Sequence, residues 1–417
     1  MAPLLLVFSI CLQAGFILVV CNLSGKLATK LGQPSVVGMM IAGALMGPSM
    51  FGAIWPEGQS WVFPADTRVW LRAAAELGVG GYLFCVGLDF NVEKVRARGA
   101  LTMAVASAGV IVPFLLAIPL AISTQGVPGW FAEGASLWQQ GLFLGAALSI
   151  TAFPMLVWIV RSKGLADSPM GLVAISAGAI GDAFAWVILA VVLASFGGSP
   201  DLIYRCVFGG LLMIAVARYF VPRLLAGFAS DCETRQALTW SSTLAVVLLF
   251  LAFVAFSAWC GMHAVFGGFL CGLAIPKGEL NRRLRSVEPA VSGWVLPFFF
   301  VCSGLQTRLD FLFTPSVFWL LLLVVAVSLF GKGGACWCAA RWAGLDAAAA
   351  GGVASLMNAR GLMELILLNV GLSAGIVGPV LFSVLVVMAI VTTLMAGPLF
   401  EWTYGRKARI SANYGDL

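Results

Sequence analysis

Charge is scarce in this chain of 417 residues, and that scarcity decides its class. Charged residues make up 10% of the sequence and hydrophobic residues 61%, whereas a soluble domain carries about 25% charged residues to wet its surface. A soluble fold is therefore excluded. Apolar runs of about twenty residues fit helices that cross roughly 30 Å of hydrocarbon, and they exclude a barrel of short alternating strands. The composition predicts an all-α polytopic membrane protein.

The chain also lacks the motifs of enzymes, resident metals and nucleotides. It has one histidine and no GxxxxGK[ST] loop, so zinc-type and ATP-driven chemistry have no motif to use. Its ten cysteines are scattered, mostly in apolar runs and without a CxxC pair, which favours a packing role over disulfides or metal binding. We expect no cofactor, no metal beyond a transported monovalent cation, no nucleotide-binding domain and no nucleic-acid partner. These absences favour a secondary transporter over an enzyme.

Division of the sequence at charges and Pro/Gly clusters predicts thirteen membrane spans. With the N-terminus outside, eighteen Lys and Arg residues fall in inside loops and the tail, against four in outside loops. This is the positive-inside bias of a multi-pass protein of the cytoplasmic (inner) membrane, with the C-terminus inside. The spans are 3–22, 34–54, 70–88, 99–122, 137–160, 169–196, 201–221, 237–258, 261–276, 289–306, 312–340, 347–372 and 376–402.

Four ionisable residues lie deep in predicted spans, where charge is costly and usually functional. Asp182 is the only charge between Pro169 and Pro200, and Lys332 is likewise alone in its span. Arg360 and Glu364 share a span at i,i+4 spacing, so an ion pair that only fixes packing is an equally good interpretation for these two. Asp182 has no neutralising neighbour in its own span, which favours a functional role.

A buried carboxylate such as Asp182 suits proton exchange. Burial disfavours its charged form, so one carboxylate can hold either a proton or a dehydrated monovalent cation, but not both. That competition is sufficient for exchange and requires neither a nucleophile nor a phosphoryl donor.

Helix breakers interrupt two spans at mid-membrane depth. Pro154 follows Phe153 and the hydroxyl residues Ser149 and Thr151, and it frees carbonyls in the preceding turn. The other interruption is the segment Asn358-Ala359-Arg360-Gly361. Paired broken helices indicate a transporter site, where free carbonyls coordinate cations and an arginine can offset the dipole ends.

The two interrupted spans are seven apart and so begin with opposite orientations. This predicts inverted repeats over 34–196 and 261–402 within one membrane transport domain of residues 1–417. The spans over 201–258 form a linker or scaffold, and 403–417 is a short cytoplasmic tail.

Several motifs, in order along nearly the whole chain, resemble the monovalent cation:proton antiporter-2 family, which includes Kef-type and CHX-type exchangers. They are Leu31-Gly-Gln-Pro-Ser-Val-Val-Gly, Ala42-Gly-Ala-Leu-Met-Gly-Pro48, Glu76-Leu-Gly with Phe84-Cys-Val-Gly-Leu88, Ser149-Ile-Thr-Ala-Phe-Pro154, Asp182-Ala-Phe-Ala-Trp186, Leu296-Pro-Phe-Phe-Phe with Ser303-Gly-Leu305, Met357-Asn-Ala-Arg-Gly-Leu-Met-Glu-Leu365 and Thr392-Thr-Leu-Met-Ala-Gly-Pro398.

The resemblance implies a thirteen-helix, inverted-repeat sodium/proton antiporter fold with two crossed discontinuous helices. A core of spans four to six and eleven to thirteen moves against a scaffold that forms a homodimer. By the same resemblance Asp182 binds sodium, potassium or a proton, Thr151 helps to line the site, and Lys332 is the core-domain lysine. Membrane lipid and the transported ions are the other expected partners.

The chain departs from the family in the residue before Asp182. Many members have Asp, Asn or Gln there, and this chain has Gly181. Lys332 therefore pairs with Asp182 itself, with carbonyls or with Glu364. A lone carboxylate releases one proton per cation bound and favours electroneutral exchange, unless Lys332 contributes a second proton.

The sequence leaves two alternatives to antiport open. One is a cation-coupled solute symporter on the same fold. The other is a membrane sensor or partner subunit that lost exchange through Gly181.

Overall fold

The computed structural model describes residues 3–89, 99–165, 168–196, 200–260 and 264–405. Within these ranges the chain is helical, with an isolated β-bridge between Phe131 and Val377. It divides into two compact units, each assembled from three stretches of sequence. The unit boundaries fall at 22/23, 55/56, 90/91, 196/197 and 302/303.

Unit 1 comprises Met1–Asn22, Pro56–Phe90 and Gly197–Cys302. Its helices are the first part of α1 (Pro3–Lys30), α4 (Pro56–Val62), α5 (Arg68–Asp89), α10 (Pro200–Ala215), α11 (Val221–Leu224), α12 (Ala226–Arg235), α13 (Trp240–Trp259), α14 (Ala264–Ala274), α15 (Glu279–Arg285), α16 (Glu288–Ala290) and most of α17 (Leu296–Gly304).

Unit 2 comprises Leu23–Trp55, Asn91–Phe196 and Ser303–Leu417. After the end of α1, its helices are α2 (Ser35–Leu45), α3 (Phe51–Ile54), α6 (Gly99–Ser123), α7 (Leu137–Ser149), α8 (Phe153–Ser162), α9 (Pro169–Phe196), α18 (Pro315–Ala326), α19 (Gly333–Trp342), α20 (Ala347–Met357), α21 (Leu362–Ser373) and α22 (Pro379–Phe400). Unit 2 thus contains all six predicted core spans.

Seven helical segments in the described part of the chain are long and apolar enough to span a membrane, or eight if the pair Phe208–Leu224 and Ala226–Arg235, bent by 48°, counts as one span. Four more apolar helices are shorter, Ala347–Met357 and Met363–Ser373 among them. The number thirteen remains a prediction. The predicted span 261–276 begins outside the described residues, and the predicted tail 403–417 lies outside them from residue 406 onward.

The two predicted interruptions are present as real breaks. The first separates α7 from α8, where Ile150 and Ala152 are extended, with ψ angles of 135° and 90°. The second separates α20 from α21 at Asn358 to Gly361. By contrast, α6 continues through both Pro113 and Pro119, so proline alone does not divide a helix in this protein.

A polar cluster in unit 2 joins the segment after α2 to the short 3₁₀ helix Leu309–Phe313. The Ser49 hydroxyl donates to Asp310 Oδ1 (2.7 Å) and accepts from the Leu309 N–H (2.7 Å). Arg308 pairs with Asp310 at 2.9 Å. These groups lie outside the long apolar helices, where they fix one loop to another.

Candidate functional site

The two broken helices meet at their breaks inside unit 2. The Ala152 N–H donates to the Ala359 carbonyl at 2.8 Å. One residue earlier, the Thr151 hydroxyl donates to the Met357 carbonyl at 3.3 Å. Both contacts join the extended link after α7 to the end of α20, so the interrupted backbones form one crossing.

Arg360 lies in the second break and reaches the C-terminal end of α7. Its side chain is fully buried, and its guanidinium donates to the carbonyls of Ala147 (2.5 Å) and Leu148 (2.6 Å). A third bond goes to the Ser328 hydroxyl at 2.6 Å. The arginine therefore satisfies two carbonyls that the end of α7 leaves without helical partners.

Lys332 also donates hydrogen bonds at the C-terminal end of α7. It ends a π-helical turn, Val327–Lys332, and is fully buried. Its Nζ donates to the Ser149 carbonyl (2.5 Å) and to Thr151 Oγ1 (2.6 Å). A backbone carbonyl was one of the partners that the sequence predicted for this lysine. The Ser149 hydroxyl itself donates to the Ala146 carbonyl at 3.0 Å.

The two half-helix ends are treated differently. At α7 each of the last three carbonyls, Ala147 to Ser149, accepts a hydrogen bond from the buried side chain of Arg360 or Lys332. These positive charges complement the negative end of the helix dipole. At α20 the carbonyls of Ser355 and Leu356 accept local backbone N–H groups, and that of Met357 accepts Thr151. The hydrogen bonds from Arg360 and Lys332 to backbone carbonyls are thus concentrated at the end of α7, and we call them the cationic cover of α7.

Glu364 pairs with Arg360, but not along a continuous helix. The two charged atoms are 3.4 Å apart and both side chains are fully buried. Because α21 begins at Leu362, Arg360 precedes the helix, and the i,i+4 helical face expected from the sequence does not exist. The spacing brings the charges together across the break instead, where Gly361 is the N-cap residue of α21.

Asn358 fixes the end of α20 to the π-helical turn. Its Nδ2 donates to the Leu329 carbonyl at 3.2 Å, and a carbonyl acceptor identifies that atom as the amide nitrogen. A Cβ at Gly333 would meet the Asn358 amide, so glycine at 333 permits the close approach of α19 to the break.

Two residues of the crossing were missed by sequence reasoning. Ser328 receives Arg360 and lies four residues before Lys332, a helical spacing that could have identified it. Thr393, on α22, accepts from the Arg360 N–H (2.9 Å) and lies 2.7 Å from the Arg360 carbonyl oxygen. Thr392-Thr393 belongs to one of the motifs that resemble the family, and this was the signal in the sequence that could have identified Thr393.

Asp182 lies in α9, and its side chain, like that of Pro154, is outside the described part of the structure. The helix itself packs against α6, α7, α8 and α20. A Cβ at Gly178, one turn before Asp182, would lie 3.1 Å from Leu156 and 3.4 Å from Phe153. The backbone of α9 therefore passes close to the start of α8, directly after the first break.

A polytopic helical protein in which two interrupted helices meet at buried charges belongs to the class of secondary transporters. Comparison with known proteins identifies the family. The model of the transmembrane sodium/hydrogen exchanger family matches residues 15–404, and the chain belongs to that family.

Relatives agree with this membership. The chain is 34% identical to the Na⁺/H⁺ antiporter NhaS4 of Synechocystis sp., over 92% of this chain and 94% of that protein. It is 34% identical to cation/H⁺ antiporter 17 of Arabidopsis thaliana, over 96% of this chain but 48% of that protein. It thus spans about half of the plant relative and nearly all of the bacterial one.

A solved structure shares the fold. The sodium proton antiporter MjNhaP1 from Methanocaldococcus jannaschii superposes with a TM-score of 0.63, at 17% identity, over 96% of this chain and 99% of that one. Together with the family match, this confirms the sequence-based assignment to the cation/proton antiporters and the prediction of a transporter instead of an enzyme.

Proposed function

We propose that the protein exchanges a monovalent cation, sodium or potassium, for protons by alternating access, with Asp182 as the shared cation and proton site. Membership of the sodium/hydrogen exchanger family supports the exchange. So do the names of two relatives, the Na⁺/H⁺ antiporter NhaS4 and the Na⁺/H⁺-K⁺ antiporter GerN of Bacillus cereus.

The observation that carries the assignment of Asp182 is the cationic cover of α7. Arg360 and Lys332 occupy the carbonyls of Ala147, Leu148 and Ser149, so these backbone oxygens are not open to a transported cation. In this proposal a carboxylate therefore supplies the negative charge of the binding site. Glu364 already holds Arg360, whereas Asp182 lies on the helix that packs against α7, α8 and α20.

The hydroxyls of the first break supply further oxygen ligands in this proposal. The Ser149 hydroxyl gives its proton to Ala146, and the Thr151 hydroxyl gives its proton to Met357. The Ser149 oxygen keeps its lone pairs, and the Thr151 oxygen keeps the one that Lys332 does not use, so each can be a ligand of a dehydrated monovalent cation. Thr151 also contacts Lys332, which couples cation binding to the position of the lysine.

Stoichiometry follows from Gly181. One carboxylate can exchange one proton for one cation, so we propose electroneutral exchange. We further propose a homodimer in the inner membrane, with the N-terminus outside and the C-terminus inside, and inverted repeats over 34–196 and 261–402. The basic residues of the predicted inside loops support that orientation.

The test is dissipation of an imposed pH gradient in proteoliposomes when sodium, potassium or lithium is added across a range of pH. We expect the wild-type protein to dissipate the gradient and Asp182→Asn to lose that activity. Asp231→Asn is the matched control, because Asp231 is an exposed carboxylate of α12 in unit 1.

Retained exchange in Asp182→Asn overturns the assignment of the site. Cation-driven accumulation of a labelled organic solute, without proton counterflow, supports the symporter alternative instead.

A further inference from the structure

A π-helical turn widens one helix of unit 2 where that helix passes the crossing. The turn is Val327–Lys332, and the helical backbone continues through it from α18 to α19. A π turn adds one residue to the α-helical pattern, is rare, and frequently lies at functional sites. Of the four π turns in the described part of the chain, this one carries side-chain hydrogen bonds to both breaks.

The second break holds this turn at two points. Arg360 donates to the Ser328 hydroxyl at 2.6 Å, and Asn358 Nδ2 donates to the Leu329 carbonyl at 3.2 Å. The Leu329 carbonyl also accepts the N–H of Gly333, four residues later, which is the α-helical spacing. Asn358 therefore binds the turn at the residue where the α-helical pattern resumes.

The same turn brings Lys332 to the first break. The ammonium group donates to the Ser149 carbonyl and to the Thr151 hydroxyl at the end of α7. An α-helix turns about 100° per residue, so a shift of the helix register by one residue would turn Lys332 away from both acceptors by about that angle. The position of the ammonium group thus depends on where the π turn lies along the helix.

Gly333 permits the contact that holds the turn in place. It is buried, and a Cβ at this position would overlap the Asn358 amide nitrogen, so a side chain here displaces that amide from the Leu329 carbonyl. The next residue, Gly334, is exposed, and no described atom lies within 4 Å of a Cβ there. The two neighbouring glycines therefore differ in their contact with Asn358.

We propose that Asn358 is a positioning residue for Lys332, because its bond to the Leu329 carbonyl fixes the register of the π turn. The turn in this register places the lysine on the first break, so the second break controls the position of Thr151 through the helix between them. The effect on cation binding rests on the proposed function, whereas the link between the two breaks does not.

Backbone hydrogen exchange of the purified full chain tests this link without any transport. Gly333→Ala displaces the Asn358 amide, so protection should fall about fivefold for the loss of one hydrogen bond. We expect this fall in the turn, 327–332, and also in the first break, 149–153, which belongs to other helices and reports on the contact with the lysine. Gly334→Ala is the matched control. It adds the same methyl group to the same helix and should keep wild-type protection in both stretches.

Asn358→Leu is a second, independent variant, because it removes the amide and leaves both glycines in place. It should loosen the same two stretches as Gly333→Ala. Faster exchange confined to 327–332 in both variants, with wild-type protection at 149–153, overturns the proposal. Equal protection in Gly333→Ala and Gly334→Ala overturns it as well.

Proteoliposome exchange tests the consequence for the reaction. Thr151 is a cation ligand in the proposed function and loses its fixed position when Lys332 turns away. Gly333→Ala should therefore raise the half-saturating cation concentration about fivefold, with little change in the maximal rate. A lower maximal rate at an unchanged half-saturating concentration overturns the positioning role. A wild-type protein that does not exchange refutes the proposed function, and the hydrogen-exchange comparison then decides the link between the breaks.

Discussion

The Ala152 N–H and the Ala359 carbonyl form a 2.8 Å hydrogen bond that joins the two broken helices. It is a bond between backbone groups in buried segments, where an unpaired group is costly. If either broken helix moves, it must therefore break this bond or move together with the other one. Residues beside one break should consequently affect the other, which is the basis of the first two predictions.

Thr151→Val should weaken cation binding. Valine keeps the shape of threonine but removes the hydroxyl that links Lys332 to the Met357 carbonyl. The Thr151 oxygen is also a proposed cation ligand, and an interaction of a hydroxyl with a charged group is worth about 1.5–3 kcal/mol. The half-saturating cation concentration for exchange should therefore rise at least about tenfold. Thr151→Ser keeps the hydroxyl and should stay close to wild type. Equal effects of Val and Ser would show that the hydroxyl is not used.

Arg360→Met should destabilise the protein strongly, because it uncovers the carbonyls of Ala147 and Leu148 and leaves Glu364 as an unpaired buried carboxylate. Removal of one partner of a buried pair costs about 3–5 kcal/mol. The measurement is the thermal unfolding midpoint in detergent.

The double variant Arg360→Met with Glu364→Gln is the control for that loss. It removes the stranded charge and should recover part of the stability. A double variant no more stable than Arg360→Met would contradict the ion pair as a structural element and leave only the carbonyl contacts.

Gly181→Asp should convert electroneutral exchange into electrogenic exchange. No described atom lies within 4 Å of a Cβ at Gly181, so a Cβ meets no clash with the described atoms there, and a second carboxylate adds a second proton per cation. Sodium-driven proton movement should then depend on an imposed membrane potential. Gly181→Ala controls for the added bulk and should remain insensitive to the potential.

Two results would contradict this reasoning about position 181. One is potential-sensitive exchange in the wild-type protein. The other is exchange that appears only in Gly181→Asp, which would favour the sensor or partner-subunit interpretation.

The cluster around Asp310 should make part of the stability depend on pH. Partial burial works to raise the pKa of Asp310, but hydrogen bonds from Ser49 and Arg308 outweigh it and hold the pKa below its usual value. A carboxyl with a lower pKa in the folded state stabilises above its unfolded pKa, near 4. That stabilisation is lost as the pH falls through the folded value.

Between about pH 5 and pH 3, the unfolding midpoint should therefore fall more for the wild-type protein than for Asp310→Asn. Because the Arg308–Asp310 pair is about half exposed, the difference should not exceed about 1 kcal/mol. Parallel pH profiles for the two proteins would exclude this contribution.

The sequence predicted the helical membrane class, the two breaks and the buried charges, because each leaves a local trace. Pro154 and the Asn358–Gly361 segment mark breaks by composition, and a lone Lys332 is conspicuous in an apolar run. The convergence of Arg360 and Lys332 on one end of α7 left no such trace. It depends on how distant helices pack, which no local pattern of the sequence encodes.

The contact of Asn358 with the π-helical turn was equally impossible to predict from the sequence. Its existence depends on which atoms fill the space around one amide, and this follows from the glycine at 333 and from the position of the π-helical turn.

Competition between cation and proton for Asp182 is the central claim, and cation binding to the purified protein as a function of pH tests it most directly. With a single shared carboxylate, one proton should be released per cation bound. Below the pKa of the site, apparent affinity should fall about tenfold per pH unit, and Asp182→Asn should abolish both effects. Cation affinity independent of pH, or unchanged proton release from Asp182→Asn, would contradict the account.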